Sequence, residues 1–592
     1  MHPSPSSPQS DGHDQGKNDP GSNAGGRSRT TGITADVLGF FKRAFKNRAF
    51  LLFLAFFVLY NLTLQTSYTR DTIPNMYLPL SMIKHSSISL SFFPELYAAG
   101  RPYFIVPYNG GMHSIFGIGA PLFALPFYIP FLLFKGTPSF TTLIYVSKFA
   151  ASFYVAFSVA LLYAALRRVT REKWAVIIAL IYGLATPAFA TSSQALWQHA
   201  PSQFLICLTI YLLIRGEERP GFTALAGLPL GLSVLVRTTN LVFILPVLIY
   251  IVWKRRSQLL GFAAALLPGA LITAWYNHAA YGAFYRFPLM APEYLLPASE
   301  FSKYNESGGY WQTPLLTGFW GNLISPSRGL LVISPILLLA FAGLVLLIWK
   351  RKELWQKTFP LYLCFALAFL FELLLISKKT AWAGGLSFGN RLLLDTLPFL
   401  CFLFIPAFEY YDKMMKPSWK TAAKSVFIVL LVISILFQVE GIASYDRGSW
   451  NMQGTAEDLA WNVSDGQIAF YIKNPHPVTP PLIKQWRDEP AVLDSFGVDI
   501  YDGWPHLYFS LAEQARLRIY IIPPGGGEKV FLVETAGMKG RNDIQITPGD
   551  LDLLQSFDDI ETLKELIESS PSYEVVVIDP LIGVSKTYIF PP

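Results

Sequence analysis

Residues 424–439 read KSVFIVLLVISILFQV and contain a single charged side chain, Lys424, at the start of the stretch. Residues 50–64 (FLLFLAFFVLYNLTL) and 143–166 (LIYVSKFAASFYVAFSVALLYAAL) have the same character. About 20 mainly apolar residues are needed for a helix to cross the hydrocarbon core of a bilayer. The three stretches approach or exceed this length, and they predict membrane-spanning helices.

The composition of the whole chain agrees with this prediction. Of the 592 residues, 52% are apolar, 15% are aromatic and 15% are charged, whereas soluble domains carry about 25% charged residues. The isoelectric point is near 9.0, but the basic residues form short clusters between apolar stretches. Cytoplasmic loops of membrane proteins have this pattern, so we exclude nucleic acid as a partner.

The chain divides into three regions by composition. Residues 1–37 are rich in Ser, Gly, Pro, Asn and Asp and predict a disordered cytoplasmic tail. Residues 38–440 predict a membrane body. Residues 441–592 have a soluble composition, with 22 acidic and 11 basic residues and a net charge of −11, and predict an extracytoplasmic domain. The three cysteines lie in predicted spans and give no disulfide framework.

The positions of the basic clusters predict the topology. If every cluster faces the cytoplasm, an even number of spans must separate each neighbouring pair. This condition gives an all-α polytopic body with about eleven spans, a cytoplasmic N-terminus and an extracytoplasmic C-terminal domain. The clusters are Lys42–Arg48, Arg167–Lys173, Arg215–Arg219, Lys254–Arg256, Lys350–Lys352 and Lys413–Lys424.

One apolar stretch is left out of this count. Residues 117–134, GIGAPLFALPFYIPFLLF, contain Pro121, Pro126 and Pro130. A proline inside a helix costs about 3 kcal/mol unless other groups satisfy the freed backbone. We therefore predict an interfacial or re-entrant segment within a first outer loop of residues 67–139.

Two side chains on the predicted outer face are candidates for catalysis. Asp71 follows the first span in YTRDTIPNMYLPL, where its carboxylate could act as a general base or only pair with Arg70. His199, in SSQALWQHAPSQ, could bind a substrate hydroxyl, assist proton transfer or only cap a helix. Glu95 in FFPELY is a weaker acidic candidate.

Cations on the outer side break the positive-inside pattern and suit a phosphate ligand. Arginine binds phosphate oxygens in a bidentate manner, and aromatic rings stack on sugars. Each cation alone could instead extend its charge to the membrane surface. Motifs for nucleotide, metalloprotease, serine hydrolase or dithiol chemistry are absent, and the residues indicate no metal site and no cofactor. The candidate substrate-binding residues are Arg237, Arg328, Lys378, Lys379, Arg391, Trp197 and Trp382.

At these positions the chain resembles the GT-C superfamily of membrane glycosyltransferases, which includes protein O-mannosyltransferases. The closest resemblance is to bacterial members of the family 39 type. The similar pieces lie in order between residues 67 and 400: DTIPNMYLPL, GAPLFALPFYIP, LWQHAP, SPSRGLLVISP and WAGGLSFGNRLLLDTLP.

The resemblance implies a helical membrane enzyme, in a bacterial inner or plasma membrane, that uses a polyprenyl-phosphate sugar donor. It implies that Asp71 activates an acceptor hydroxyl for inverting transfer, with a glycan, lipid or protein as acceptor, and that the cations hold the lipid phosphate. His199 stands where several relatives have an acidic residue, so a divalent metal is left open by the resemblance.

The C-terminal region and two other functions complete the prediction. The runs RIYIIP, KVFLVE and YEVVVID predict strands, and residues 557–569 predict a helix, in a small mixed α/β domain. A transporter of lipid-linked sugar would need charges deep within spans, for which Lys148 and Glu372 are the nearest candidates. A non-catalytic envelope scaffold would tolerate loss of the Asp71 carboxylate.

Overall fold

The structure is a computed structural model of the whole chain. It describes residues 47–96, 102–135, 138–297, 301, 309–350, 358–445, 450, 457–475, 478, 480–483, 493–501, 504–511, 515–524, 529–537, 540–545, 560–569, 572–578 and 585–590. The predicted disordered tail, 1–37, lies outside the described residues.

The described residues between 47 and 483 form a helical bundle with short connecting elements, and the apolar stretches of the sequence form its long helices. A two-stranded antiparallel hairpin, β1 with β2, lies in the first long loop. The elements are α1 Arg48–Leu62, α2 Ile73–His85, β1 Ile105–Tyr108, β2 Gly111–Ser114, α3 Gly119–Lys135, α4 Phe140–Val169, α5 Glu172–Leu184, α6 His199–Glu218, α7 Gly221–Leu225, α8 Gly227–Val236, α9 Ile244–Lys254, α10 Leu259–Tyr281, α11 Ala291–Leu295, α12 Leu315–Ile324, α13 Leu330–Ile333, α14 Leu338–Trp349, α15 Phe359–Lys378, α16 Leu397–Lys413, α17 Pro417–Ala443 and α18 Gln467–Lys473.

The bundle has two ends. We call the end at which α1 finishes at Leu62 and α6 begins at His199 the site end. At the opposite end α4 finishes at Val169 and α6 finishes at Glu218. Within the described ranges, five helices are long and apolar enough to cross a membrane: α4, α10 with its preceding turn, α15, α16 with its preceding turn, and α17. The mostly helical membrane body is therefore confirmed, while the count of eleven spans stays a prediction.

The proline-rich stretch forms the helix α3, with Pro126 and Pro130 inside it. The residues just before and just after the first outer loop, 67–139, lie at the same end of the bundle. The hydroxyl of Tyr145, near the start of α4, donates to the Leu64 carbonyl at 2.7 Å, and Phe140 packs edge-on against Tyr68. The segment between them therefore begins and ends at the same end of the bundle, and its interfacial or re-entrant placement stays a prediction.

Beyond the bundle, the described residues form two antiparallel sheets. Their order is β3-β4-β7 and β6-β5-β8-β9. Residues of both sheets, including Leu507, Leu517 and Val575, form one apolar core with the apolar face of the helix α19. This agrees with the predicted mixed α/β composition. The elements are β3 Leu493–Tyr501, β4 Trp504–Leu511, β5 Ala515–Ile522, β6 Val530–Gly537, β7 Gly540–Gln545, α19 Ile560–Glu568, β8 Ser572–Ile578 and β9 Ser585–Phe590.

Candidate functional site

An open cavity of about 610 Å³, including its mouth, lies at the site end of the bundle. Its wall combines charged side chains with apolar ones from the first loop and from the loops that follow α8, α10 and α15. The lining residues that carry charge or can acquire it are Asp71, His199, Arg237, Lys379 and Arg391. All five are candidates from the sequence, and the fold brings them together from positions up to 320 residues apart.

Asp71 lies in a short helical turn, Arg70–Thr72, between α1 and α2. The backbone amide of Thr69 donates to the Thr72 hydroxyl at 3.0 Å, and that hydroxyl donates to the Thr69 carbonyl at 2.9 Å. These bonds fix the turn that presents the carboxylate, whose side chain is 15% exposed. The phenol of Tyr103 donates to Oδ1, and the Arg391 guanidinium pairs with Oδ2.

Tyr103 stays a hydrogen-bond donor to this carboxylate. Burial raises the pKa of the Tyr103 phenol well above its ordinary value, and the charge of Asp71 adds to the rise. Both carboxylate oxygens of Asp71 therefore have a fixed partner within the described part of the chain. The arrangement orients the carboxylate towards the cavity.

Arg391 is held on three sides. Its Nε donates to the Gly384 carbonyl at 2.5 Å, and its guanidinium carbon lies 4.5 Å from the ring centroid of Trp197. Trp197 is buried, and its Nε1 donates to the Ser67 hydroxyl at 3.2 Å. Trp197 thus supports Arg391 from below the cavity wall, since the indole is desolvated and a cation over its face is stabilised.

The loop that carries Arg391 depends on glycine and on Arg328. Gly384, Gly385 and Gly389 have φ values of +84°, +62° and +63°, which glycine adopts at little cost. Arg328 is fully buried and donates to the carbonyls of Gly385 at 2.8 Å and Gly389 at 3.0 Å, and to that of Ser387.

Arg328 also lies 4.8 Å from the ring centroid of Trp450, and burial lowers its pKa to about 10. It does not line the cavity. The structure therefore places it as a support of the loop 384–389, and its predicted contact with phosphate stays a prediction.

Two buried carboxylates, Asp395 and Glu372, lie behind the cavity wall and contact Arg237. The Nη1 atom of Arg237 contacts Asp395 Oδ2 at 2.7 Å and Glu372 Oε1 at 3.1 Å, while Nη2 donates to the Leu392 carbonyl at 3.1 Å. His199 Nδ1 lies 3.3 Å from the same Asp395 oxygen. Both carboxylates are fully buried, so the Arg237 charge offsets a large desolvation cost.

Lys379 follows the last residue of α15 and reaches the cavity. Burial lowers the pKa of its amino group to about 8, and the charges of Arg391 and Arg237 add to this lowering. Among the described residues no ion pair to Lys379 is formed within 4.0 Å. Its ammonium is thus available to an anionic ligand.

Two other predicted residues, Lys378 and Trp382, do not line the cavity. Lys378 ends α15 and is half-buried. Trp382 is 3% exposed, and its ring packs against Gly321. The side chain of Glu95 lies outside the described residues. Within the described ranges, no group of three His, Cys, Asp or Glu residues could hold a metal ion.

Two residues of this site, Tyr103 and Asp395, were not identified from the sequence. Glu372 was identified there, but its pairing with Arg237 was not. Asp395 follows Arg391 in the motif GNRLLLDTLP, so an acidic residue just before an apolar span was the available signal. Tyr103 has no such signal, because it is one of many tyrosines in the chain. Its contact with Asp71 depends on the course of the first loop.

Comparison with known proteins supports the resemblance seen in the sequence. Residues 126–276, about a quarter of the chain, match the family described as dolichyl-phosphate-mannose-protein mannosyltransferase. This segment includes Trp197, His199 and Arg237, and the predicted resemblance to membrane glycosyltransferases of the GT-C type is confirmed there. No curated protein matches the chain.

Solved structures of one archaeal enzyme are similar to this chain. The oligosaccharyltransferase of Archaeoglobus fulgidus, in complex with zinc and sulfate, has 16% identity and a TM-score of 0.40, with 72% of this chain and 58% of that chain covered. The same enzyme with an inhibitory peptide and a dolichol-phosphate has 15% identity and a TM-score of 0.41, with 72% and 61% covered. The chain thus spans less than two thirds of these proteins.

Proposed function

We propose that this protein transfers a sugar from a polyprenyl-phosphate donor to the hydroxyl of a glycan, lipid or protein acceptor, with inversion at the sugar carbon. One observation carries the proposal: the Asp71 carboxylate shares a single cavity with the ammonium of Lys379 and the guanidinium of Arg391. Such a site can hold a phosphate and activate a hydroxyl at the same time.

In the proposed reaction Asp71 is the base. The acceptor hydroxyl donates to the carboxylate, and its oxygen attacks the anomeric carbon from the face opposite the phosphate. The new C–O bond forms as the bond to the phosphate oxygen breaks, and the hydroxyl proton passes to Asp71. A base within hydrogen-bond reach of such a proton contributes about 10²- to 10⁴-fold to the rate.

The cations act on the leaving group. The donor phosphodiester becomes a phosphate monoester as it leaves, so negative charge develops on its oxygens. Lys379 and Arg391 can bind these oxygens in a partly desolvated cavity, where fixed charges are most effective. His199 lines the same cavity and can bind a substrate hydroxyl.

The family match supports this donor class. The matched family takes its name from dolichyl-phosphate mannose, a sugar linked to a polyprenyl phosphate. The positive-inside pattern further supports an extracytoplasmic site, because the basic clusters Arg167–Lys173 and Arg215–Arg219 lie at the opposite end of the bundle from Asp71.

The contacts of Lys148 and Glu372 do not favour transport. Lys148 Nζ lies 3.0 Å from both the Thr63 hydroxyl and Gln194 Oε1, near the site end. Glu372 is paired with Arg237 behind the cavity. Each is thus committed to a local partner rather than arranged along a path through the bundle.

The proposal is tested by sugar transfer from a panel of radiolabelled polyprenyl-phosphate sugars. We expect transfer by the wild type and a loss of about 10²-fold or more in Asp71→Asn. The matched control is Asp499→Asn, on an exposed position of β3, which should transfer at the wild-type rate. Thermal unfolding in detergent shows whether the three proteins are folded to the same extent.

The outcomes separate the alternatives. Transfer that survives Asp71→Asn would remove Asp71 from the mechanism and turn attention to His199. No transfer from any donor by folded wild-type protein would contradict the transferase and leave transport or scaffolding as the function.

A further inference from the structure

A buried chain of polar side chains runs from the cavity wall into the bundle, in the order His199, Asp395, Arg237 and Glu372. The contacts are 3.3 Å from His199 Nδ1 to Asp395 Oδ2, 2.7 Å from Arg237 Nη1 to the same oxygen, and 3.1 Å from Arg237 Nη1 to Glu372 Oε1. Their side chains are between 0% and 7% exposed. Because each is desolvated, the geometry of the chain is strongly fixed.

Two members of this chain, His199 and Arg237, also line the cavity. The Nδ1 atom of His199 faces the Asp395 carboxylate. A carboxylate accepts hydrogen bonds and cannot donate one when ionised. Nδ1 must therefore carry the hydrogen, and the hydrogen bond at one ring nitrogen sets the state of the other.

Arg237 fixes the orientation of Asp395. It donates from Nη1 to the two carboxylates and from Nη2 to the Leu392 carbonyl, three residues before Asp395 in the chain. With a neutral His199, the cluster contains one cation and two carboxylates. Protonating His199 would bring its net charge to zero, and the charge of Asp395 favours this proton while burial opposes it.

We propose that Asp395 is a positioning residue, which holds His199 with Nδ1–H towards its carboxylate and Nε2 as an unprotonated acceptor facing the cavity. In this role His199 takes over the proton that Asp71 removes from the acceptor hydroxyl. The inference rests on the proposed transferase function and adds a second proton acceptor to it.

The proton balance of the cycle closes with this second acceptor. The acceptor O–H bond breaks, the oxygen binds the anomeric carbon, and the electron pair of the broken C–O bond goes to the phosphate oxygen. The proton moves from Asp71 through cavity water to His199 Nε2. The imidazolium then gives it to the phosphate monoester, whose second ionisation lies near pH 6, and both side chains return to their starting states.

Asp71 needs such a partner because of its own contacts. Tyr103 donates to one carboxylate oxygen and Arg391 pairs with the other. Both contacts hold the carboxylate in place, and the next cycle needs it free of the proton again. Burial lowers the pKa of His199 and the charge of Asp395 opposes this lowering, while the imidazole lines the same cavity as Asp71. The other charged groups that line the cavity with His199 are Asp71, Arg237, Lys379 and Arg391.

The first test is the pH profile of transfer by the purified full-length protein. Turnover requires an ionised Asp71 and a neutral His199. Burial lowers the pKa of His199 to about 4, and the charge of Asp395 opposes this lowering. The rate should therefore fall at low pH as His199 becomes protonated. In Asp395→Asn the imidazolium loses its negative partner, so this fall should move to lower pH by about one unit, with kcat reduced about 10- to 100-fold.

The matched control is Asp412→Asn, near the end of α16, the helix that follows the turn Leu394–Thr396 with Asp395. Asp412 also pairs with an arginine, at 3.1 Å from Arg171, and is 11% exposed. Its substitution should leave the pH profile in place. His199→Gln should lose as much activity as Asp395→Asn, and the double variant should lose no more, because the two residues act as a unit.

A profile that Asp395→Asn leaves unmoved, with kcat retained, would overturn the proposal. The same holds if the losses in the double variant multiply, since that pattern indicates independent structural effects. Donor and acceptor KM values should change less than about threefold in Asp395→Asn, because the residue does not line the cavity.

The second test does not need activity. In ¹⁵N-histidine-labelled protein, the His199 signals are identified by their loss in His199→Gln, and their shifts report which ring nitrogen carries hydrogen. We expect hydrogen on Nδ1 at neutral pH. Hydrogen on Nε2 would overturn the proposal even if transfer is observed. Conversely, absent transfer with hydrogen on Nδ1 would contradict the proposed function and leave the positioning role standing.

Discussion

The two ends of the helical bundle carry the same types of charged residue but bury them differently. At the site end the pair Arg237–Asp395 is 7% and 0% exposed. At the opposite end Arg167–Glu172 is 64% and 35% exposed. Buried charges cost several kcal/mol if a partner is removed, whereas exposed pairs contribute about 0–1 kcal/mol. The site end is therefore the place where charge has been kept at a cost to stability.

The largest difference between the two ends should appear on removing an arginine. Arg237→Leu leaves two carboxylates buried without their cation, and we expect the free energy of unfolding to fall by about 3–5 kcal/mol. Arg171→Leu at the opposite end removes a side chain that is 65% exposed and should cost less than about 1 kcal/mol. Unfolding in detergent measures the free energy of unfolding of both variants, and equal losses would contradict the difference between the two ends.

A second prediction separates activity from stability at the site end. Arg391→Gln removes the cation that contacts Asp71 and lies over Trp197, and the rate of transfer should fall about 10²-fold. Arg168→Gln, which loses an exposed pair with Glu218, should retain the wild-type rate. Transfer assays at matched protein folding decide between them. If Arg391→Gln is as active as Arg168→Gln, Arg391 does not act on the reacting groups.

A third prediction concerns high pH. The amino group of Lys379 is charged below its pKa of about 8 and neutral above it, so phosphate binding weakens as the pH rises through this value. The transfer rate should begin to fall near pH 8 and, at higher pH, should fall by about tenfold for each pH unit. In Lys379→Arg the side chain stays charged, and this fall should disappear. A fall that persists in the variant would assign it to another group.

The smallest effect should come from an exposed pair at the opposite end. Lys413 lies 2.7 Å from Glu409, four residues earlier in α16, and is 50% exposed. Lys413→Gln should lower the free energy of unfolding by about 0.3–0.5 kcal/mol and leave transfer unchanged. A loss as large as that of Arg237→Leu would show that the two ends do not differ as their burial indicates.

Several residues of the site could be predicted because they follow from position along the chain. Asp71, His199, Arg237, Lys379 and Arg391 all lie just beyond the ends of apolar stretches that the alternation of spans places on one side. Arg328 meets the same criterion, yet its guanidinium is used by three loop carbonyls. Residue type and side of the membrane cannot distinguish a cavity cation from a loop support.

The C-terminal region shows the same limit on a larger scale. Alternating apolar residues in RIYIIP and YEVVVID predicted strands, and β5 and β8 occupy these positions. The pattern did not indicate that residues between the last long helix and the sheets contact the site. Gln467 in α18 accepts from the Gly389 amide at 2.7 Å and donates to the Ser387 carbonyl at 3.0 Å.

By itself the sequence determined the membrane body, and it predicted the alternation of its helices and the side on which the charged loops gather. These follow from the length of apolar stretches and the spacing of basic clusters, which are properties of neighbouring residues. Only the tertiary structure decided which charges pair, so that Arg391 meets Asp71 and Arg237 joins Glu372 to Asp395. Such pairs depend on distances between residues far apart in the chain, because a desolvated charge is stabilised only by a partner a few ångströms away.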